Sequence, residues 1–425
     1  MIERKFFFLD KDCFLVRGFL RGALYNLKTG NVYSINATSL RLLELCTKKK
    51  VCLEKVFSSF NGQINKQEII DYFHLLQEKG IGRFYDIRKE EDKANIFFRE
   101  KLNFLWLELT SNCNLRCCHC YNPSGLNLNK KNNIGLLRLK KVISEAKDLG
   151  CRKIQFTGGE PFLRRRTLYS LIEYSRKVGY KMIEIFTNAT LLNKYDINYF
   201  TRNGIHIATS FYSINKKIHE QVTQIIGSYQ RTLKNIKKLQ RANIPLRVIV
   251  VGMNINQTYL EETTHFLKEK IGIEKVEFSI INPFGRGSNS NLITKELRNK
   301  LLIKKSSFSK IYNKDFLRRH QGHNCYLGHL CISYQGDVLP CVMERELIIG
   351  NIKNESLKEI WNSPIAQDLK YLSKDKIKVC QDCEYRYACF DCRARVRKET
   401  GDLYAKPPNC PYNPYTGQWE HVMEN

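Results

Sequence analysis

The segment from Cys113 to Cys120 constrains this chain more than any other part of its sequence. It contains four cysteines in eight residues and includes the spacing Cys113-x3-Cys117-x2-Cys120. Thiolates are suited to iron–sulfur clusters, and a [4Fe–4S] cluster normally takes four of them. Three thiolates on one short loop therefore predict a cluster that keeps one iron open for a substrate or cofactor. The alternative is a structural zinc knuckle with Cys118 or His119 as its fourth ligand.

A glycine turn downstream adds a second constraint. An apolar run ends in the paired glycines Gly158 and Gly159, which are followed by Glu160 and Pro161. Paired glycines let the backbone approach a ligand closely, and the Glu160 carboxylate can accept a hydrogen bond from an ammonium group. Such a tetrapeptide alone is an ordinary turn, but its position after the cysteine loop favours the cluster over zinc.

Strand-like and helix-like segments alternate between residues 104 and 282. Amphipathic stretches such as Leu136–Leu149 and Thr232–Ala242 separate short apolar runs, which predicts a parallel sheet with helices packed outside it. Six repeats are too few for an eight-stranded barrel, so we expect an α/β fold with a partial (β/α)6 TIM-like barrel. The predicted strands are Phe104–Thr110, Lys153–Phe156, Met182–Phe186, Ile205–Phe211, Leu246–Val251 and Lys275–Ile281.

The carboxyl ends of these strands are the expected place for an active site. The cysteine loop and the glycine turn each follow a strand directly, so both belong to that end. Asn188 follows the third predicted strand, and Ser210 lies near the end of the fourth. Asn188 and Ser210 are therefore candidate cofactor-binding residues. A solvated hydroxyl at the end of a strand is the alternative for Ser210.

The cysteine loop and the Gly158–Pro161 turn together resemble the radical SAM superfamily. In that family the open iron binds the amino and carboxylate groups of S-adenosylmethionine, and reductive cleavage produces a 5′-deoxyadenosyl radical. The resemblance implies that the Gly158–Pro161 turn binds the amino end of this cofactor. It also implies that Ser210 contacts the ribose.

A second group of eight cysteines lies in the last quarter of the chain and divides naturally into two four-ligand sites. Gly336 lies in a predicted hairpin turn that would bring two of these cysteines, Cys331 and Cys341, together. A pair of zinc ribbons is the alternative. The eight cysteines are Cys325, Cys331, Cys341, Cys380, Cys383, Cys389, Cys392 and Cys410.

This arrangement resembles the SPASM extension of radical SAM enzymes, which holds two auxiliary [4Fe–4S] clusters. The resemblance therefore implies three [4Fe–4S] clusters in all. One departure from the family is visible, because two residues separate Cys389 from Cys392 where the family usually has three. Matching of motif positions assigns Cys325, Cys331, Cys341 and Cys392 to one auxiliary cluster, and Cys380, Cys383, Cys389 and Cys410 to the other.

Residues 1–90 predict a separate winged-helix-like α+β domain, with short strands followed by three helical stretches. In front of a radical SAM/SPASM core, this domain resembles a RiPP recognition element. The resemblance implies that it binds the leader of a ribosomally synthesised precursor peptide, received as an added strand at a sheet edge. A winged helix can also bind DNA, but the strand runs hold a single basic residue, Arg17, and so lack a phosphate-binding pattern.

The predicted division is therefore 1–90 for the leader-binding domain, 91–290 for the partial barrel and 291–425 for a bridging helix with the SPASM domain. A charged segment, Arg88–Lys93, is the predicted linker into the barrel.

Composition indicates the compartment and the kind of partner. The chain opens without a secretory signal and has no apolar run long enough to span a membrane, so we expect a cytoplasmic protein without membrane contact. Sixteen cysteines in that compartment indicate metal sites rather than disulfides. A formal charge of +28 predicts an anionic partner. Because the lysines are spread along the whole chain, an acidic peptide satisfies this field as well as nucleic acid does.

The resemblance as a whole implies a radical SAM peptide maturase that modifies a ribosomally made precursor oxidatively. Thioether or carbon–carbon crosslinking is favoured over epimerisation or decarboxylation, because auxiliary clusters can accept the electron left on a product radical. A flavodoxin or ferredoxin-type protein is the implied electron donor. The sequence identifies no catalytic acid or base.

Two alternative functions remain. An anaerobic sulfatase-type formylglycine maturase carries an Asp directly after the third SPASM cysteine, whereas here Val342 follows Cys341. A redox-responsive, DNA-binding iron–sulfur protein would explain the positive charge but gives no role to the Gly158–Pro161 turn.

Overall fold

The computed structural model describes residues 2–60, 64–88, 100–126 and 133–420. Residues 89–93 of the predicted linker lie outside these ranges. The centre of the fold is a parallel sheet whose inner strands are buried on both faces, as the adjacent residues Val248 and Ile249 illustrate. All six predicted strands are confirmed, with ends that shift by at most two residues. They are β6 (Phe104–Glu108), β7 (Lys153–Thr157), β8 (Met182–Phe186), β9 (His206–Ser210), β10 (Leu246–Gly252) and β11 (Lys275–Ile280).

Amphipathic helices cover the outside of this sheet. In α8, Thr232, Ile236 and Leu239 recur at helical spacing and are buried. In α6, Asn193 and Asp196 form a reciprocal capping box at the start, and Gly204 ends the helix in the left-handed conformation. These helices are α4 (Leu136–Asp148), α5 (Arg165–Lys177), α6 (Lys194–Asn203), α7 (Lys216–Thr223), α8 (Ser228–Arg241) and α9 (Leu260–His265).

The sheet continues beyond the barrel into the second cysteine region. A strand containing Cys331 runs parallel to β6, so that Cys331 pairs with Trp106. The predicted hairpin at Gly336 is confirmed and pairs Cys331 with Leu339 on the other side. The added strands are β12 (His329–Ile332), β13 (Asp337–Leu339) and β14 (Gly350–Asn351). The strand order of the whole sheet is β11-β10-β9-β8-β7-β6-β12-β13-β14.

One hydrophobic core runs through the barrel and this extension. It joins Leu107 in the barrel to Val338 and Ile360 in the C-terminal region, so the predicted boundary at residue 290 does not coincide with a break in the core. The remaining C-terminal elements are α10 (Lys295–Asn299), α11 (Asn313–Gln321), α12 (Leu357–Asn362), α13 (Pro364–Lys370), α14 (Arg393–Thr400), β15 (Tyr412–Asn413) and β16 (Gln418–Trp419).

The N-terminal region contains two small antiparallel sheets and three helices. β1 pairs with β5, and β2, β3 and β4 form the second sheet. The predicted short strands and the three predicted helical stretches are present. β5 was not predicted, and its partner β1 lies at the other end of the region in sequence. The elements are β1 (Phe6–Leu9), β2 (Cys13–Arg17), β3 (Gly22–Asn26), β4 (Val32–Ile35), α1 (Ala37–Thr47), α2 (Leu53–Ser58), α3 (Lys66–Glu78) and β5 (Gly82–Tyr85).

The sheet of β2, β3 and β4 packs directly against the C-terminal cysteine region. Tyr25 is fully buried, and its side chain shares a hydrophobic cluster with Phe316 and Tyr387. Its hydroxyl donates to the Glu384 carbonyl (2.9 Å) and accepts from the Ala388 N–H (3.3 Å). The N-terminal region is therefore part of the support of that cysteine region and not an independent attachment.

Each of the sixteen cysteines lies in the described ranges and carries a free thiol. Cys13, Cys46 and Cys151, which are not among the predicted cluster ligands, are buried in apolar clusters. Among the described residues, we find no helix that combines the length and the apolar character needed to cross a bilayer.

Candidate active site

A cavity of about 670 Å³ occupies the lumen of the partial barrel, and its wall extends from the amino ends of the strands, as at Lys153, to their carboxyl ends. Of the residues predicted for the first cluster and its cofactor, the structure brings all but Glu160 and Pro161 to the wall of this cavity. The predicted residues that line the cavity are Cys113, Cys117, Cys120, Gly158, Gly159, Asn188 and Ser210.

The thiols of Cys113, Cys117 and Cys120 lie close enough to influence one another's ionisation. Burial raises the pKa of Cys113 to about 12. Burial also raises the pKa of Cys117, and nearby Cys120 and Cys113 raise it further. Thiols of this kind stay protonated unless a cationic centre binds them as thiolates. The loop therefore fits an iron–sulfur cluster, whose irons would be held by Cys113, Cys117 and Cys120.

Two neighbouring segments fix the cysteine loop. Arg286, which was not among the predicted site residues, donates from its backbone N–H to the Cys120 carbonyl (2.9 Å) and from Nε to the Cys117 carbonyl (2.8 Å). Gly285 has φ +55, and a Cβ there would overlap the backbone of Tyr121. On the other side, the Cys118 N–H donates to the Val222 carbonyl at the end of α7 (3.0 Å).

The glycine turn packs against the start of the same loop. Gly158 has φ +130, a conformation that side chains disfavour. The Gly159 N–H donates to the Thr110 carbonyl (2.6 Å), and the Glu160 N–H donates to the Asn112 carbonyl (2.8 Å). A Cβ on Gly159 would overlap the Asn112 carbonyl, one residue before Cys113. Glycine is thus required at these positions because the turn after β7 packs closely against the backbone before Cys113.

This contact predicts the effect of Gly159→Val. The new side chain has to displace Asn112, and overpacking of this kind costs about 1–3 kcal/mol. We expect the variant to lose cluster iron together with S-adenosylmethionine cleavage, as measured by iron content and 5′-deoxyadenosine formation. Gly135→Val is the matched control, since no atom lies within 4 Å of a Cβ at that position. Full iron with weakened S-adenosylmethionine binding would instead mean that the glycine serves the cofactor alone.

The Glu160 carboxylate does not reach the cavity, contrary to the expectation that it receives an ammonium group. It is fully buried and accepts hydrogen bonds from the Phe162 N–H (3.0 Å), the Thr187 hydroxyl (2.8 Å) and the Asn188 N–H (2.9 Å). Burial raises its pKa to about 7, although these donors act in the opposite direction. Pro161 is also buried and begins a 3-10 helix. The hydrogen bonds of Glu160 therefore link the turn after β7 to the loop after β8.

Asn188 lies between Glu160 and the cysteine loop. Its side-chain amide donates to the Asn114 side chain (2.9 Å) and lies 3.7 Å from the Cys113 sulfur. The buried face of α8 supports it, because the Thr232 hydroxyl donates to the Asn188 carbonyl (3.1 Å). Ser210, at the end of β9, also faces the cavity.

Sequence reasoning missed an aromatic wall beside Cys117. The Tyr212 hydroxyl lies 3.9 Å from the Cys117 sulfur, and its ring meets His119 edge to face with centroids 5.0 Å apart. The Tyr212 N–H donates to His219 Nδ1 (3.4 Å). Burial lowers the pKa of His119 to about 4 and that of His219 to about 3, so both rings are neutral near pH 7. The position of Tyr212, two residues after Ser210, was the signal that could have identified it.

The opposite end of the cavity is charged and was also missed. Arg247 bridges Glu184 (2.8 Å) and Glu277 (2.9 Å), and Gln155 hydrogen-bonds to Glu184. These side chains come from four strands and face the lumen, so the cavity combines a cysteine end with a polar end.

The eight C-terminal cysteines form the two predicted groups. We name Cys325, Cys331, Cys341 and Cys392 the proximal cysteine site, because Cys331 pairs with β6. After burial, Cys341 and Cys392 are the main causes that raise the pKa of Cys325, so Cys392 belongs to this group despite its unusual spacing. The distal cysteine site surrounds a cavity of about 20 Å³ and consists of Cys380, Cys383, Cys389 and Cys410.

None of these groups is arranged as a single-ion site. In the described ranges, no three His, Cys, Asp or Glu side chains converge closely enough to hold one metal ion. A [4Fe–4S] cluster binds its cysteines through separate irons, so it does not require such convergence.

Comparison with known proteins agrees with this geometry. Residues 107–267 match the radical SAM superfamily. Together with the partial barrel and the three-cysteine loop, this match identifies a radical SAM domain in that part of the chain. Residues 325–384 match the SPASM iron–sulfur cluster-binding domain. The chain thus combines a radical SAM domain with a SPASM domain, as the sequence predicts.

Individual relatives differ in what they make. The AdoMet-dependent heme synthase of Methanosarcina barkeri is 26% identical over 341 residues, which cover 72% of this chain and 95% of the relative. The subtilosin biosynthesis protein AlbA of Bacillus subtilis is 27% identical over 276 residues, covering 62% of this chain and 60% of AlbA. The structure of Streptococcus suis SuiB bound to S-adenosylmethionine covers 95% of this chain and 99% of SuiB, with a TM-score of 0.58 at 16% identity.

Proposed function

We propose that this chain is a peptide maturase that modifies a ribosomally synthesised precursor oxidatively. The observation that carries the proposal is the likeness of nearly the whole chain to SuiB. The 5% outside that match amounts to about 21 of 425 residues, so most of the first 90 residues lie within it. SuiB has also been solved with its precursor peptide SuiA, a structure that covers 94% of this chain with a TM-score of 0.56. AlbA, too, serves bacteriocin biosynthesis.

The lumen is suited to hold a reactive cofactor away from water. In the proposed enzyme, Cys113, Cys117 and Cys120 hold a [4Fe–4S] cluster, and the backbone of the glycine turn, Asn188 and Ser210 contact S-adenosylmethionine. When bound, cluster and cofactor supply a 5′-deoxyadenosyl radical that abstracts a hydrogen atom from the peptide. The neutral rings of His119 and His219 add no charge beside this site.

The proximal and distal cysteine sites hold two further [4Fe–4S] clusters in this proposal, which makes three. With their clusters bound, the two sites would supply acceptors for the electron left on a product radical, which is what a net oxidation of the peptide requires. Thioether or carbon–carbon crosslinking is therefore the proposed modification. A flavodoxin or ferredoxin-type protein is the proposed donor of the first electron.

A groove in the N-terminal region supports leader binding there. It has a volume of about 630 Å³ and lies between β1 and β2. The Gly18 N–H donates to the Arg21 carbonyl. In an antiparallel pair, the backbone groups of alternate residues face the partner strand. The backbone N–H and C=O of Leu15, three residues before Gly18, therefore point away from β3 toward the outer edge of the sheet. An extended leader can pair with such an edge.

The charges of this groove favour an acidic leader. Its wall includes four lysines and one arginine but only two acidic residues. Arg83 already pairs with Asp10 (3.2 Å) and Lys48 with Glu44 (2.8 Å), which leaves Lys11, Lys28 and Lys50 as the main source of the positive field. The lining residues with charged side chains are Asp10, Lys11, Asp12, Lys28, Lys48, Lys50 and Arg83.

A second candidate is a small-molecule radical SAM enzyme, favoured by the match to AdoMet-dependent heme synthase over 95% of that relative. The match leaves more than a quarter of this chain unaligned, and the candidate gives the groove no role. The formylglycine alternative remains without its base, since Val342 and Met343 line the cavity after Cys341. The DNA-binding alternative assigns no function to the lumen.

Anaerobic co-expression with the small open reading frame beside this gene tests the proposal. We expect the peptide to lose two hydrogen atoms for each crosslink, detected by mass spectrometry and located by fragmentation. The matched control is the same peptide with the Cys113→Ala variant, which should leave its mass unchanged. An unmodified peptide, with turnover of a porphyrin substrate by the same preparation, would favour the small-molecule candidate.

A further inference from the structure

Lys374 is a buried lysine in the wall of the distal cysteine site. Lys374 is only 6% exposed, and it lines the small cavity together with Cys380, Cys383, Cys389 and Cys410. A lysine is almost never this deeply buried without a partner for its charge. Its surroundings therefore indicate what the ammonium group faces.

The protein satisfies this ammonium only in part. Nζ lies 2.7 Å from Oδ1 of Asp391, which also pairs with Arg393. Within the described residues, no acceptor completes a well-oriented hydrogen bond with Nζ. An ammonium carries three N–H donors, so donors remain that can point into the cavity.

Two other cations line the distal cavity, Arg386 and Lys406. Lys406 is only partly buried, and the donors of Arg386 are already used. Arg386 donates from Nε to Asp375 (2.7 Å) and from Nη1 to the Arg17 and Cys383 carbonyls (2.7 and 3.0 Å). Lys374 is thus the buried cation with donors left for a group held by the four cysteines.

Carboxylates and cations lie near the thiols of both auxiliary sites. At the proximal cysteine site, Glu108 lies beside Cys331 and Glu344 beside Cys341, and Arg345 and Arg397 pair with these carboxylates. At the distal cysteine site, Glu384 lies beside Cys383, and the buried Lys374 side chain lies in the cavity wall itself.

We propose that Lys374 is the buried counter-cation of a [4Fe–4S] cluster at the distal cysteine site and stabilises its reduced form. The proposal depends on the proposed function, since it requires a cluster there. Reduction adds one electron to an anionic cluster, and a cation held in a low-dielectric environment favours that state. The distal cluster then has a higher reduction potential than it would have without Lys374, which makes it a better acceptor for the electron from the product radical.

The test is a potentiometric titration of the anaerobically reconstituted full chain, followed by electron paramagnetic resonance. We expect Lys374→Met to keep its iron and to make one cluster at least tenfold harder to reduce, a drop of about 59 mV for a one-electron couple. The other two clusters serve as internal references. Lys374→Arg should titrate like the wild type. Lys378→Met is the matched control, because Lys378 is exposed and pairs with Asp402 (2.7 Å).

Full iron and unchanged potentials in Lys374→Met would overturn the proposal. If that variant loses iron, Lys374→Arg decides: full iron with Arg supports a need for charge, whereas loss with Arg as well indicates packing alone. A failure of the underlying function looks different. In that case Cys380→Ala with Cys389→Ala would leave the iron content of the chain unchanged.

Discussion

Replacing Cys113, Cys117 and Cys120 together by Ala is expected to abolish cleavage of S-adenosylmethionine and to remove about four irons per chain, the content of one cluster. Among the described residues, these three are the cysteines that line the lumen. The remaining irons, about eight if both auxiliary clusters are bound, should stay. Iron analysis and chromatography of 5′-deoxyadenosine measure the two effects.

Cys118→Ala is the matched control for this variant. Cys118 belongs to the same loop, but its sulfur lies 3.9 Å from the Met253 sulfur and packs in a small apolar cluster with Val222. Its removal should leave iron and cleavage close to wild type. Unaltered iron in the triple variant, or zinc as the dominant metal in anaerobically purified protein, would refute the cluster at this loop.

Reversal of the groove charges is expected to uncouple the enzyme from its precursor. With Lys11, Lys28 and Lys50 all changed to Glu, an acidic leader loses attraction and meets repulsion. Because tethering by the leader raises effective affinity by roughly 10²–10⁴-fold, modification at limiting peptide should fall strongly. Cleavage of S-adenosylmethionine without peptide should persist, since the groove is separate from the lumen. Kinetics of peptide modification and leader binding by fluorescence anisotropy provide the measurements.

The control carries the same change in charge at another surface. Lys234, Lys237 and Lys238 lie on the exposed face of α8, and their change to Glu should leave leader binding intact. Salt should weaken leader binding to the wild type, because exposed contacts are screened over about 10 Å at 0.1 M. Equal loss in both triple variants would indicate a general field effect. Tight, salt-sensitive binding of duplex DNA would favour the redox-regulator alternative.

Deletion of residues 1–90 is a poorer test than the sequence suggests. The boundary at residue 90 follows a change of pattern, but Tyr25 reaches across it to Glu384 and Ala388, which flank Cys383 and Cys389. Loss of Tyr25 would leave buried backbone groups without partners, at about 1–3 kcal/mol for each. We therefore expect the truncated chain to lose iron from the distal cysteine site. Long-range packing of this kind leaves no periodic signal in the sequence.

Periodicity was enough for the barrel, whereas the two groups of C-terminal cysteines were predicted from the resemblance to the SPASM extension. The cysteine loop and the glycine turn follow predicted strands, so their meeting at one end of the sheet follows from topology. The exact role of a side chain did not follow. Glu160 is next to the cavity in sequence, yet its carboxylate turns into the protein toward Thr187 and Asn188. Tyr212 and Lys374 were missed because each reaches its site through tertiary packing, and neither residue type marks a motif.

The parallel pairing of β12 with β6 also determines how this molecule can move. Four successive residue pairs, from His329 with Phe104 to Ile332 with Leu107, join the proximal cysteine region to the strand that leads into the cysteine loop. A hinge between β12 and β6 would have to break these backbone pairs. We therefore expect the distance between the two strands to stay constant during turnover. At the other end of the sheet, β11 pairs only with β10 among the described strands. Widening of the lumen to admit a bulky chain is therefore expected at β11, where Phe278 is 47% exposed.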